Sequence, residues 1–234
     1  MGRMSRRRFL RASLGSAIWI SGCGWVPPLG EVSKEALDLH RRSLVLDLLS
    51  ALADAHPDRL SFVRHGSGIA PEVERGRFVA LAGLEGAQGI EADLAHLNAS
   101  GVWDALLEMR RPCVVSHTAC KALHDHPRNL TDRQLELVGR QGGVVGIAAG
   151  RDFLGPGGIG AFLDHVEHAL AVAGPHAVAL GSDYDGFIVP AEGMGDVRCY
   201  PLVTQGLLDR GQDPEVISSL LGANAAPVLT AVCG

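Results

Sequence analysis

The chain has 234 residues, 47% of them hydrophobic and 20% charged, and carries a formal net charge of −5. That length supports one sizeable core, and that balance excludes a disordered chain. The acidic sign, with no basic patch interleaved with aromatics, excludes nucleic acid as a partner.

In chain order, Ser5-Arg6-Arg7-Arg8-Phe9-Leu10 reads as a twin-arginine export signal, followed by a moderately apolar stretch to Gly22. Ile20-Ser21-Gly22-Cys23 has the form of a bacterial lipobox. Residues 1–22 are therefore read as a signal peptide, Cys23 as the lipidated residue, and residues 23–32 as a linker. An ordinary secretory signal is the alternative. Arg11 interrupts the apolar run, which is too short to span a bilayer, so membrane contact is expected only through a lipid anchor. Cleavage before Cys23 removes five arginines and no acid, moving the formal charge from −5 to −10. The expected destination is the periplasm or the outer face of a membrane. Four further cysteines follow, Cys113, Cys120, Cys199 and Cys233, without a C-x-x-C spacing.

Residues 33–234 read as one β/α domain. A helix is expected over 33–42 with Ser33 as N-cap. A strand at 44–49, a helical remnant at 51–59 and a weak strand at 60–63 follow. The next strong strand is 78–85, then helices at 92–100 and 103–111, then a strand opening at Cys113. Thr131-Asp132-Arg133-Gln134 starts a helix by a capping pattern, and Gly142-Gly143 ends it. A strand at 144–147, a helix at 159–173, a strand from Ala177 and closing helices at 201–210 and 214–232 complete the chain. Alternating strands and helices imply a parallel α/β architecture.

Three of these strands end in chemistry-bearing residues: Glu85, the pair Ser116-His117, and Asp183. The C-terminal ends of parallel strands are where such folds place their sites. Imidazole and carboxylates at one mouth suit zinc, whereas His117 on its own is equally a core histidine. Ser116 lacks a Gly-x-Ser-x-Gly elbow, and a regular strand points it away from His117, so a serine hydrolase is a poor reading. His165 and His168 are expected on a surface helix face, and His124 and His126 in solvated or orienting roles.

Leu84-Glu85-Gly86-Ala87, Val115-Ser116-His117-Thr118, Asp125-His126-Pro127-Arg128-Asn129-Leu130, Gly142-Gly143-Val144-Val145-Gly146 and Gly181-Ser182-Asp183-Tyr184-Asp185-Gly186 occur in that order. As an ordered set they resemble the membrane dipeptidase (renal dipeptidase) family of zinc peptidases, from about Leu44 to the end. The resemblance implies a TIM-like metal-dependent hydrolase barrel. With five strong strands and one weak one, the barrel reads as incomplete, short of eight strands. It implies a site with two zinc ions, a dipeptide substrate and, as is frequent in the family, a homodimer. By position Glu85 matches the bridging metal ligand, His117 a second ligand and Asp183 the acid/base residue beside the metal. Glu85, His117 and Asp183 are thus the metal set, Asp183 and Glu85 the catalytic pair, and Arg128 the group that binds the substrate carboxylate.

The sequence also departs from the family. Asp47-Leu48-Leu49-Ser50-Ala51 has Leu49 and Ala51 where an Asp-x-His-x-Asp strand places ligands. Asp54-Ala55-His56-Pro57-Asp58 spells that pattern in a helical context and is read as coincidence. The segment with a substrate-facing His and the Asp-x-Ser-His ligand is expected between Val102 and Trp103 and is read as absent. These departures predict single or weak zinc occupancy and impaired catalysis. The alternative is a catalytically dead, dipeptidase-derived binding lipoprotein or relic.

Overall fold

The computed structural model describes residues 32–43, 60–63, 78–81, 93–109, 111–184 and 186–233. Cys23, Glu85, Asp185, the Asp47 and Asp54 stretches and the expected strand at 44–49 lie outside them. The described elements are α1 (Lys34–Arg42), β1 (Leu60–Val63), β2 (Phe78–Leu81), α2 (Ala99–Glu108), β3 (Val114–Thr118), α3 (Asp132–Arg140), β4 (Val144–Ile147), α4 (Arg151–Leu154), α5 (Gly158–Ala173), β5 (Val178–Leu180), α6 (Tyr200–Asp209), α7 (Pro214–Ser218) and α8 (Ala225–Cys233).

All pairings between these strands are parallel. β1 pairs with β2, and β3, β4 and β5 form a second sheet in that order. Every residue of β3, β4 and β5 is buried, as the near-continuous Val, Ile and Leu runs require of a sheet covered on both faces. α3 and α5 cross closely because Gly139 has no side chain: a Cβ there would lie 2.0 Å from the Ala173 carbonyl oxygen. The Asn224 amide, Nδ2, donates to Pro175 O at 2.8 Å and Val178 O at 2.9 Å, tying the C-terminal helices to the entry of β5.

Local chemistry sets the helix ends. The Ser33 hydroxyl accepts from Ala36 N at 3.1 Å, and α1 is fastened to α6 by His40 Nδ1 and Thr204 Oγ1 at 3.1 Å. Thr131 and Gln134 form the capping box expected at α3.

Three expectations are corrected. No helix spans 92–100. Asp93 instead pairs with Val114 as a β-bridge, residues 95–97 turn, and Asn98 caps α2 by accepting from Gly101 N at 2.8 Å. The two helices expected around 92–111 are thus one, Ala99–Glu108. The closing helix is broken at Gly222, whose extended φ of 179° interrupts the helical run between α7 and α8.

Candidate functional site

The β3–β4 register shifts between Val115 and Thr118, so β3 is not regular where it carries Ser116 and His117. Both side chains are buried, and Ser116 Oγ lies 2.8 Å from His117 Nδ1. This corrects the expectation that a regular strand points them to opposite faces. The irregular backbone needs room beside it, and Gly181, at the end of β5, provides that room. A Cβ on Gly181 would sit 2.0 Å from the Ser116 carbonyl oxygen and 2.8 Å from Gly146 Cα.

Asp93 anchors this corner. Its Oδ1 accepts from Ser116 N and from Ala95 N, each at 3.0 Å, and its Oδ2 accepts from Ser116 Oγ at 2.5 Å. On the other side of the imidazole, Arg128 Nη2 lies 2.6 Å from His117 Nε2. A guanidinium only donates, so Nε2 is the acceptor. The proton of the neutral ring is therefore on Nδ1, which donates to Ser116 Oγ, which in turn donates to Asp93. Burial first, then the Arg128 charge and then His96, push the His117 pKa down to about 3, so the ring is neutral at physiological pH. The order Asp–Ser–His also disposes of a serine nucleophile, since Ser116 gives its proton to a carboxylate rather than to a histidine base.

Arg128 is held on a pinned loop. Its carbonyl accepts from Thr118 Oγ1 at 2.9 Å, and the neighbouring Asn129 amide donates to His124 O at 2.9 Å and Phe153 O at 2.8 Å. The Arg128 Nε and Nη2 both donate to Ala95 O, at 3.2 and 3.1 Å, and the guanidinium carbon stands 5.0 Å over the Phe153 ring. His126 packs against Phe153 with ring centroids 4.7 Å apart, consistent with an orienting role.

Asp183 follows β5 in the left-handed region at φ 64°, a conformation that Asp tolerates better than most residues. Its carboxylate is buried, with Oδ2 3.9 Å from His117 Nε2. Gly186 is required beneath it, because a Cβ there would fall 1.9 Å from Asp183 Oδ1. His165, expected on a surface, is buried: Nδ1 accepts from Cys120 N at 3.0 Å and Nε2 donates to Leu154 O at 3.2 Å. His168 does reach the surface, where it meets Asp132 at 2.7 Å.

The structure thus gathers His117, Asp183 and Arg128 at one end of the sheet. It adds two residues that the sequence reading missed. Asp93 is one, and His96 is the other, its ring centroid 4.8 Å from that of His117 in an edge-on arrangement. Asp93-Leu94-Ala95-His96 is the Asp-x-Ser-His pattern with Ala95 in place of serine. The signal was present ten residues before Trp103, hidden inside an expected helix, so the Asp-x-Ser-His part of the segment read as absent has a match here.

A zinc ion takes imidazole and carboxylate donors at about 2.0–2.2 Å, which sets tetrahedral partners ~3.4 Å apart. His117 Nε2 and Asp183 Oδ2, 3.9 Å apart, approach that spacing, and His96 supplies a third donor type nearby. Among the described residues no three such side chains converge in ligating geometry. The donor set fits zinc in kind, and the coordinating nitrogen of His117 is engaged by Arg128.

Residues 87–233 match the model of the membrane dipeptidase family, peptidase family M19. The chain belongs to that family. It is 35% identical over 147 residues to a protein encoded in the pqqA 5′ region of Klebsiella pneumoniae, an alignment covering 60% of this chain and 54% of that one. It is 33% identical over 147 residues to the dipeptidase verJ of Clonostachys rogersoniana, covering 62% and 38%. The chain therefore spans about half, or less, of the length of these relatives. The crystal structure of an amidohydrolase from Pseudomonas aeruginosa superposes with a TM-score of 0.70 at 19% identity, over 85% of this chain and 99% of that one, a likeness of fold.

Proposed function

We propose that the protein is a zinc-dependent dipeptidase-like hydrolase that cleaves the peptide bond of dipeptides. The observation that carries this reading is the junction of His117, Asp183 and Arg128, with His96 alongside, at one end of a parallel sheet in a chain of the membrane dipeptidase family. Its architecture is read as part of a TIM-like barrel, built from the βα units that bear this mouth.

His117, Asp183 and Glu85, with His96, would hold the metal. Zinc, when bound, supplies an activated water and stabilises the charge that develops during hydrolysis. The residues of the chain do the rest. Asp183 Oδ2 receives a proton and returns it to the leaving amine. Arg128 holds the terminal carboxylate of a dipeptide by paired N–H donors, which confines the site to short substrates. Burial of His117 and Asp183 keeps bulk water from competing for these contacts. With Leu49 and Ala51 at two family ligand positions, zinc binds singly or weakly and turnover is reduced. The same two residues favour the second reading, a binding lipoprotein without catalysis. Export with lipidation at Cys23, and pairing into a homodimer, complete the proposal.

The test is zinc content by mass spectrometry of the mature protein, together with hydrolysis of alanyl-alanine. Near-stoichiometric zinc, lost in H117A, with turnover lost in D183N, supports the enzyme. Absence of turnover, with or without zinc, sinks the enzyme and leaves the binding protein.

A further inference from the structure

The Arg128 side chain holds two incompatible appointments. Its Nη2 has two hydrogens: one goes to Ala95 O at 3.1 Å and the other to His117 Nε2 at 2.6 Å. The single Nε hydrogen also goes to Ala95 O, at 3.2 Å. A guanidinium grips a carboxylate through either its Nε/Nη2 edge or its Nη1/Nη2 edge, and both edges need a hydrogen of Nη2. In this arrangement Arg128 therefore cannot form the paired contact with a carboxylate. On the same bond, His117 Nε2 spends its only lone pair on a guanidinium hydrogen, so that nitrogen cannot bind a metal ion either.

We propose that Arg128 is a latch: it closes His117 Nε2 to divalent cations and is itself closed to carboxylates, and release of the Nη2–Nε2 bond opens both sites together. The proposal rests on reading this mouth as a zinc site that takes a terminal carboxylate. Only the side chain has to move. The loop backbone stays fixed by Thr118 on the Arg128 carbonyl and by Asn129 on two neighbouring carbonyls. Phe153, 5.0 Å from the guanidinium, gives the side chain a surface to turn over. Because each ligand removes the partner that blocks the other, metal and carboxylate bind with positive coupling, and the coupling is reciprocal.

The experiment uses the full mature chain and measures zinc affinity by competition with a chromogenic chelator, with and without N-acetylglycine as the carboxylate probe. R128M keeps an unbranched apolar stem but donates nothing, and R128L serves as a second variant should R128M fail to fold. A hydrogen bond involving a charged group is worth about 1.5–3 kcal/mol, so the variant binds zinc about tenfold or more tighter than the wild type. N-acetylglycine tightens zinc binding severalfold in the wild type and leaves R128M unchanged. Zinc binding that is equal or weaker in R128M overturns the latch alone. Absence of zinc binding in both proteins overturns the zinc reading, and the latch with it.

Discussion

Replacing Asp93 with asparagine tests the hydrogen-bond order that fixes His117. The carboxylate accepts three hydrogen bonds: two from backbone N–H groups at 3.0 Å on Oδ1 and one from Ser116 Oγ at 2.5 Å on Oδ2. Asparagine retains an oxygen for the backbone pair but presents a donor to Ser116. Ser116 then has two options. It keeps accepting from His117 Nδ1 and strands its own hydrogen, or it donates to Nδ1 and forces the ring proton onto Nε2. The second option sets a donor against Arg128 Nη2, which stands 2.6 Å away. Loss of a charge-assisted bond costs about 1.5–3 kcal/mol, and weakening of the two backbone bonds brings the total to about 2–4 kcal/mol. Urea unfolding of the mature protein measures it, and nitrogen-15 NMR of the imidazoles reports the tautomer. Ser116→Ala cuts the link to His117 but leaves Asp93 on its backbone donors, so it costs less, about 1–2 kcal/mol. The reasoning fails if D93N unfolds within about 0.5 kcal/mol of the wild type with the Nδ1–H tautomer intact.

Gly181→Ala would place a Cβ 2.0 Å from the Ser116 carbonyl oxygen, so it should destabilise the fold by at least about 2–3 kcal/mol and shift the His117 resonances in the same NMR experiment. The His117 pKa is lowered to about 3 from 6.5, so its stabilising contribution is complete above about 6.5 and is lost as pH falls from there toward 3. The slope is about 1.4 kcal/mol per pH unit, and His117→Gln should flatten a plot of unfolding free energy against pH in that window. His165, lowered chiefly by burial, adds a slope of the same sign that His165→Gln removes separately. Asn224→Ala strands the Pro175 and Val178 carbonyls and should cost about 2–3 kcal/mol in urea unfolding.

The elements legible in the sequence are those set by local chemistry. The capping box at Thr131 and Gln134 and the β-branched runs of β3 and β4 depend on neighbours within a few residues, and they stand where they were expected. Asp93 was not legible because what it does is decided 23 residues away: its carboxylate satisfies the Ser116 backbone and hydroxyl, and that pairing overrides the helical spacing of Leu94 and Leu97. His165 was misplaced for a related reason. Helical spacing assigns it a face, but only its packing against Cys120, just past β3, and Leu154, at the end of α4, shows that both ring nitrogens meet backbone partners there. The irregularity at Ser116 has a sequence signal only in retrospect, in Gly181, the glycine just after β5 that faces it.

His96 carries the wider lesson about this site. The order of Asp93-Leu94-Ala95-His96, β3 and the Arg128 loop is compact in sequence, and the structure folds it into a single corner in which each residue constrains the next. Asp93 orients Ser116, Ser116 sets the ring proton of His117 on Nδ1, and the lone pair on Nε2 then accepts from Arg128. His96 and Arg128 both add unfavourable charge to a protonated His117, on top of its burial, so the ring is kept neutral and the proton is the weakest claimant for Nε2 at physiological pH. In the proposed reading, the Arg128 guanidinium and an entering cation compete for that lone pair. The corner thus presents a neutral electron-pair donor, and in the proposed reading Asp183, 3.9 Å from that nitrogen, would share the cation.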